Sequence, residues 1–235
     1  MNNEKMLSAL VIQARLHIHG CDDRADGNGE WMKTWRTRTN TEIITHHSRA
    51  SGLWSKVQRR SQVGGMFQRS NPAYTGASNL FESFQDFAQW CQDQPGYGCK
   101  DALGNTWEID KDILVKGNKT YSKDTCCFVT RRINSMFTSC RSARGETPIG
   151  VSFIENRGKY RSYCNSEGRF LHLGHFDDAL LANRAWQVEK VRVIRSAASK
   201  YLDSQGAAPS VYLAIIGRAL LISEDYENNR ITVEV

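Results

Sequence analysis

Only four of the 235 residues are proline, and no apolar run approaches the roughly 20 residues that a membrane-spanning helix needs. The most apolar stretch, VYLAIIGRALLI at residues 211–222, is too short. Residues 1–33 have neither the apolar core nor the small-residue cleavage site of a secretory signal. These absences predict a soluble, cytoplasmic protein with no membrane partner. The seven cysteines (Cys21, Cys91, Cys99, Cys126, Cys127, Cys140 and Cys164) are odd in number and form no CxxC pair. That argues against a disulfide scaffold and a zinc ribbon, and for reduced, buried thiols. The one adjacent histidine pair, His46-His47, would point apart on a helix, so surface or packing histidines are expected there.

What is present is an apolar fraction of 40%, enough for one sizeable core or two smaller ones, and a formal charge of +6. The charge is uneven. Residues 51–70 hold four basic residues (Lys56, Arg59, Arg60, Arg69) and no acidic one. Residues 141–200 hold eleven basic and six acidic residues, a net of +5. Such concentrations attract polyanions through phosphate contacts and counterion release, although an ordinary solvated basic surface has the same composition.

Helical spacing of Leu7, Leu10, Val11, Ala14 and Ile18 predicts a first helix, followed by an Asp/Gly/Asn-rich loop at 20–30 and helices at 31–38 and 42–57. Phe81, Phe84, Phe87, Ala88, Trp90 and Cys91 predict an apolar helix capped by Ser78 or Asn79. Strands are expected at 107–109 and 126–129, and a short helix at 131–137.

The most informative stretch is 148–187. Three strand-like runs (149–154, 159–165, 170–176) are separated by Asn156-Arg157-Gly158 and Ser166-Glu167-Gly168, links of hairpin length. Asp177-Asp178 then supplies an N-cap, and Leu180, Leu181, Ala185, Trp186 and Val188 follow at helical spacing. A three-stranded meander backed on one face by a helix is predicted. Strand alternation turns Tyr160, Ser162 and Cys164 toward the helix. It turns Arg161, Tyr163 and Asn165 outward, joined by Ser152 and His172, with Arg157 at a hairpin tip. The helix is expected to continue through 188–202. A break at 205–210 precedes the 211–222 run, whose helix or strand character its period leaves open. A turn at 225–229 and an edge strand at 230–235 would end the chain.

Gly150-Val151-Ser152, Gly158-Lys159-Tyr160-Arg161, Leu173-Gly174-His175-Phe176-Asp177 and Ala182-Asn183-Arg184-Ala185-Trp186, in this order, resemble the AP2 (ERF-type) DNA-binding domain. The resemblance implies a sheet laid in the major groove of double-stranded DNA, which admits a small sheet as well as a helix. By it Ser152, Arg161, Tyr163, Asn165 and His172 would face bases, with Arg157 and Lys159 on phosphate. Plant-type members carry more arginine and tryptophan where this chain has Ser152, Tyr163, Asn165 and His172.

A second resemblance joins Asp110-Lys111-Asp112-Ile113, Gly117-Asn118-Lys119, Tyr121-Ser122, Cys127-Phe128-Val129 and Ile133-Asn134. These are similar to bacteriophage proteins related to HNH homing endonucleases, in which an AP2-type domain follows a nuclease module. It implies a finger of two strands and a helix, host-cell cytoplasm as the location, and phosphodiester hydrolysis with one Mg2+ or Mn2+ ion. Asp110, Asp112 and Asn118 are the candidate catalytic and metal-ligating residues, through oxygen ligands. Where the base histidine stands in such fingers this chain has Lys111, whose ammonium donates rather than accepts.

The fold class expected is α+β: a mainly helical, basic region at 1–70, a degenerate HNH-like ββα module at 71–140, an AP2-like sheet and helix at 145–202, and a C-terminal extension at 203–235. The expected function is DNA binding without a cofactor, with a metal-dependent HNH-type endonuclease as the alternative and the 211–222 run as a possible oligomer contact.

Overall fold

The computed structural model describes residues 40–137 and 146–235, with side chains from 49 onward. The expected elements before residue 40, the His46 and His47 side chains, Cys21 and Cys140 lie outside the described residues. The chain divides into two compact units, Met1–Phe128 and Val129–Val235, and mixes helix with sheet as an α+β protein.

In the first unit α1 (Asn40–Ser61) and α2 (Met66–Ser70) precede a 3-10 turn at Pro72–Tyr74 and a two-residue strand, β1 (Ser78–Asn79). Then come α3 (Phe84–Asp93), β2 (Glu108–Asp110), β3 (Thr120–Tyr121) and β4 (Cys127–Val129), within which the division falls. β1 pairs in parallel with β3, and β2 pairs with β4. The cap of α3 differs from the expectation. Ser83, extended at φ −151° and ψ 170°, accepts from the Asp86 amide, while Ser78 and Asn79 are used in β1. Phe81 lies ahead of the helix and closes edge-to-face on Phe87 at 5.0 Å. Trp54, Phe87, Trp90, Tyr97 and Phe128 extend that aromatic core, and burial of each such ring contributes about 2 kcal/mol or more. The basic run at 51–70 is largely spent on this unit. Arg59 lies 4.9 Å over the Phe67 ring and Arg60 4.9 Å over Tyr74, and Arg69 donates to the Gly64 carbonyl.

The second unit begins with α4 (Arg131–Met136), capped by Thr130. The expected finger is therefore divided, with α4 in the second unit and β2 in the first. An antiparallel meander follows: β5 (Val151–Ile154), β6 (Lys159–Ser166) and β7 (Arg169–Phe176), in the order β5-β6-β7. Asp178 caps α5 (Ala179–Leu202), its carboxylate accepting from the Leu180 and Leu181 amides at 2.7 and 3.1 Å. Ala182, Trp186, Val193, Ile194 and Ala197 are buried on α5, and Ser162 and Cys164 are buried on the helix-facing side of β6. Gly150 (φ 73°) sets the approach of β5 to the helix: a Cβ there would lie 1.9 Å from Cδ1 of Trp186.

α6 (Pro209–Glu227) resolves the ambiguity of the 211–222 run as helix and carries it through part of the expected turn. It packs along α5 and buries Val211, Ile215, Ala219 and Ile222. The expected edge strand at 230–235 is absent. Side chains of α5 hold that segment instead: Asn183 Oδ1 accepts from the Thr232 amide, and Gln187 Nε2 donates to the Arg230 carbonyl and the Thr232 hydroxyl. These amides satisfy the backbone groups that a neighbouring strand would otherwise have taken. Asn183 also donates to the Ile149 carbonyl, tying the sheet's first turn to the helix. Among the described residues no helix is long and apolar enough to cross a membrane.

Candidate nucleic-acid interface

The two strand pairings fix the outer face of the sheet. Arg161 lies opposite Ser152 on one side and His175 on the other, Tyr163 opposite His172, and Asn165 opposite Phe170. Burial of Ser162 and Cys164 turns this set away from α5. Ser152, Arg161, Tyr163, Asn165 and His172 therefore share one face, as alternation predicts. Arg161 is held over it: Nε donates to Ser152 Oγ at 3.3 Å, and the guanidinium lies 5.7 Å from the centre of the Tyr163 ring. Asn165 is half committed, its Oδ1 accepting from the Gly168 amide across the hairpin turn. That leaves its Nδ2 as the group available to a ligand.

His175 and Phe170 complete the face. The β6–β7 register slips between Ser162 and Tyr163, so Leu173 has no partner and the alternation of β7 reverses there. His172 and His175, three residues apart, consequently sit on one side with ring centres 4.6 Å apart. Simple alternation from His172 puts His175 on the helix side. The sequence mark of the bulge is Gly174, at φ 133°, a conformation L side chains rarely adopt. Phe170 has the parity of His172 and was readable from that alone.

Charge on the face is positive. Arg157 ends the 3-10 turn between β5 and β6, followed by Gly158 in the left-handed region. Arg157 and Arg161 form no ion pair among the described residues. Burial, then the charges of His172, Arg157 and Arg161, hold the His175 imidazole below its ordinary pKa. Lys159, expected on phosphate, has its ammonium paired with Asp177. Part of the positive charge behind the sheet is paired or held by carbonyls. Arg192 pairs with Glu189, Lys200 and Arg132 with Glu167, and Lys190, its pKa lowered by burial, donates to the Met136 carbonyl at 2.8 Å.

The other predicted site lies in the first unit, in the loop between β2 and β3, and has the opposite character. Asp110 is only 7% exposed, and one carboxylate oxygen accepts from the amides of Asp112 and Ile113, both at 2.8 Å. Asn118 donates from Nδ2 to the carbonyls of Lys111 and Thr120 and accepts from the Thr120 amide. Lys111 is buried, its ammonium 3.1 Å from both the Asp112 carboxylate and the Asn118 carbonyl. The cation beside these carboxylates is thus the chain's own. Burial, with the charge of Asp112, pushes the Asp110 carboxyl up to about 6 despite its two amide donors. Three of the candidate ligand oxygens already have partners in the chain: Asn118 Oδ1 and one Asp110 oxygen accept from backbone amides, and one Asp112 oxygen from Lys111. Among the described residues no group of three or more His, Cys, Asp and Glu could hold a metal.

The class that this geometry defines is an α+β unit whose three-stranded antiparallel sheet is packed by a helix on one face and open on the other. No family model matches the chain, and no curated protein or solved structure matches it.

Proposed function

We propose that the chain binds double-stranded DNA, laying the outer face of β5, β6 and β7 in the major groove, as the AP2-like pattern of residues 148–187 implies. The observation that carries this reading is the arrangement of Arg157, Arg161, Asn165, His172 and His175 on an open sheet face, with the carboxylate of Asp177 paired to Lys159 and that of Glu167 to Lys200 and Arg132. Arg161 and the Asn165 amide are donors that match the guanine O6 and N7 acceptors of the groove. His172 and His175 offer a donor and an acceptor each when neutral. Arg157, at the hairpin tip, is the phosphate contact that fixes register without reading sequence.

A salt titration of duplex binding tests this. Removing the phosphate contact as Arg157→Gln is expected to reduce the slope of log K against log salt by about one. An unchanged slope would remove the sheet face from the interface. The endonuclease expectation rests on the Asp110, Asp112 and Asn118 loop alone. Nicking of supercoiled plasmid with Mg2+ or Mn2+, abolished by Asp110→Ala, is the result it requires.

A further inference from the structure

Phe170 is the most exposed large apolar side chain among the described residues of the second unit, at 74%, and it stands on the proposed reading face beside the β6–β7 hairpin. Its strand partner is Asn165, and its ring centre lies 6.2 Å from that of Tyr163. The other exposed aromatic of the sheet, Phe153, lies opposite Tyr160 on the helix side, with ring centres 4.9 Å apart. The nearby hairpin carboxylate, Glu167, is drawn to Lys200 and Arg132. An apolar ring left in water at a sheet position otherwise occupied by polar side chains has a hydration cost that packing within the unit does not offset.

Resting on the duplex reading above, we infer that Phe170 reads thymine: its ring contacts the C5-methyl group in the major groove. That methyl is the apolar feature distinguishing thymine from other bases on this edge, and an aromatic or aliphatic contact is the chemistry that recognises it. Asn165 and Arg161 lie four residues apart on β6. At a strand rise of about 3.3 Å this is about 13 Å, or about four base-pair steps along the groove. The recognised site accordingly places a thymine methyl about four steps from the base that meets Arg161.

The test uses the full chain and a duplex that it selects from a random-core library, compared with the same duplex carrying deoxyuridine in place of each thymine in turn. At one thymine, loss of the methyl is expected to weaken wild-type binding about fourfold. Phe170→Ala should bind the thymine and deoxyuridine duplexes alike, whereas Phe170→Leu, which keeps an apolar contact, should retain the preference. Both variants should unfold at the wild-type temperature, because the side chain is exposed. A selected duplex that tolerates deoxyuridine everywhere, or a Phe170→Ala variant that still discriminates, overturns the inference and leaves the duplex reading standing. Selection of no duplex, or stronger binding to its separated strands, sinks the duplex reading itself.

Discussion

The sheet face of the second unit and the Asp110 loop of the first contain similar numbers of polar side chains and use them in opposite directions. On the sheet, Ser162 and Cys164 point to the helix, leaving Arg161, Asn165, His172 and His175 facing outward. In the loop, Asp110, Lys111 and Asn118 are turned inward and satisfy backbone groups of their own segment. A polar residue is available for a partner only when the fold has not already used its hydrogen-bonding capacity. Chemically suggestive residues are thus left open to a partner on the sheet and committed to their own backbone in the loop.

The largest effect that would break the comparison is expected at Gly150. A Cβ there would lie 1.9 Å from Trp186 on a backbone at φ 73°, so Gly150→Ala forces β5 off α5. The expected loss is about 3 kcal/mol or more, together with duplex binding. Chemical denaturation followed by circular dichroism measures it, and wild-type stability in this variant would remove the helix-backed sheet from the account.

The loop gives the next effect, through pH. Asp110 holds its proton more tightly folded, at about 6, than unfolded, near 3.8. A raised folded pKa means that the stability it contributes is full below about pH 4 and is lost as the pH rises through about 6. Asp110→Asn keeps an oxygen for the Asp112 and Ile113 amides and removes the buried charge. The variant should therefore gain about 2 kcal/mol on wild type between pH 4 and pH 7, read by urea unfolding at each pH. Equal profiles for the two proteins would contradict the burial account of this carboxyl.

The smallest effect belongs to the histidine pair. Desolvation and then the neighbouring positive charges hold His175 below its ordinary pKa, so it takes up its proton at lower pH than a free imidazole does. Duplex affinity should rise about threefold between pH 7 and pH 5.5, and His172→Gln/His175→Gln should flatten that rise. A rise that survives the double substitution would take the histidines off the face.

Much of the second unit was legible in the sequence because its signals are local. Glycine-containing links closed the hairpins, Asp178 capped α5, and alternation along 159–165 assigned the faces correctly. The misses have physical causes. His175 escaped because a bulge reverses parity, and only Gly174 hinted at it. The α3 cap was misplaced because Phe81 is buried ahead of the helix rather than in it, so the apolar run began before the helix did. Residues 230–235 alternate like a strand but are held by Asn183 and Gln187, long-range partners no local pattern announces. Likewise, nothing in Asp110-Lys111-Asp112 tells whether its carboxylates will face a ligand or their own backbone.

The central claim is that the sheet meets DNA and the loop does not. It is tested most directly by one side-by-side equilibrium titration of a labelled duplex against wild type, Arg161→Ala/Asn165→Ala and Asp110→Asn/Asp112→Asn. The sheet variant is expected to bind about tenfold or more weakly and the loop variant as wild type does. Undiminished binding by the sheet variant, or a matching loss in the loop variant, would contradict it.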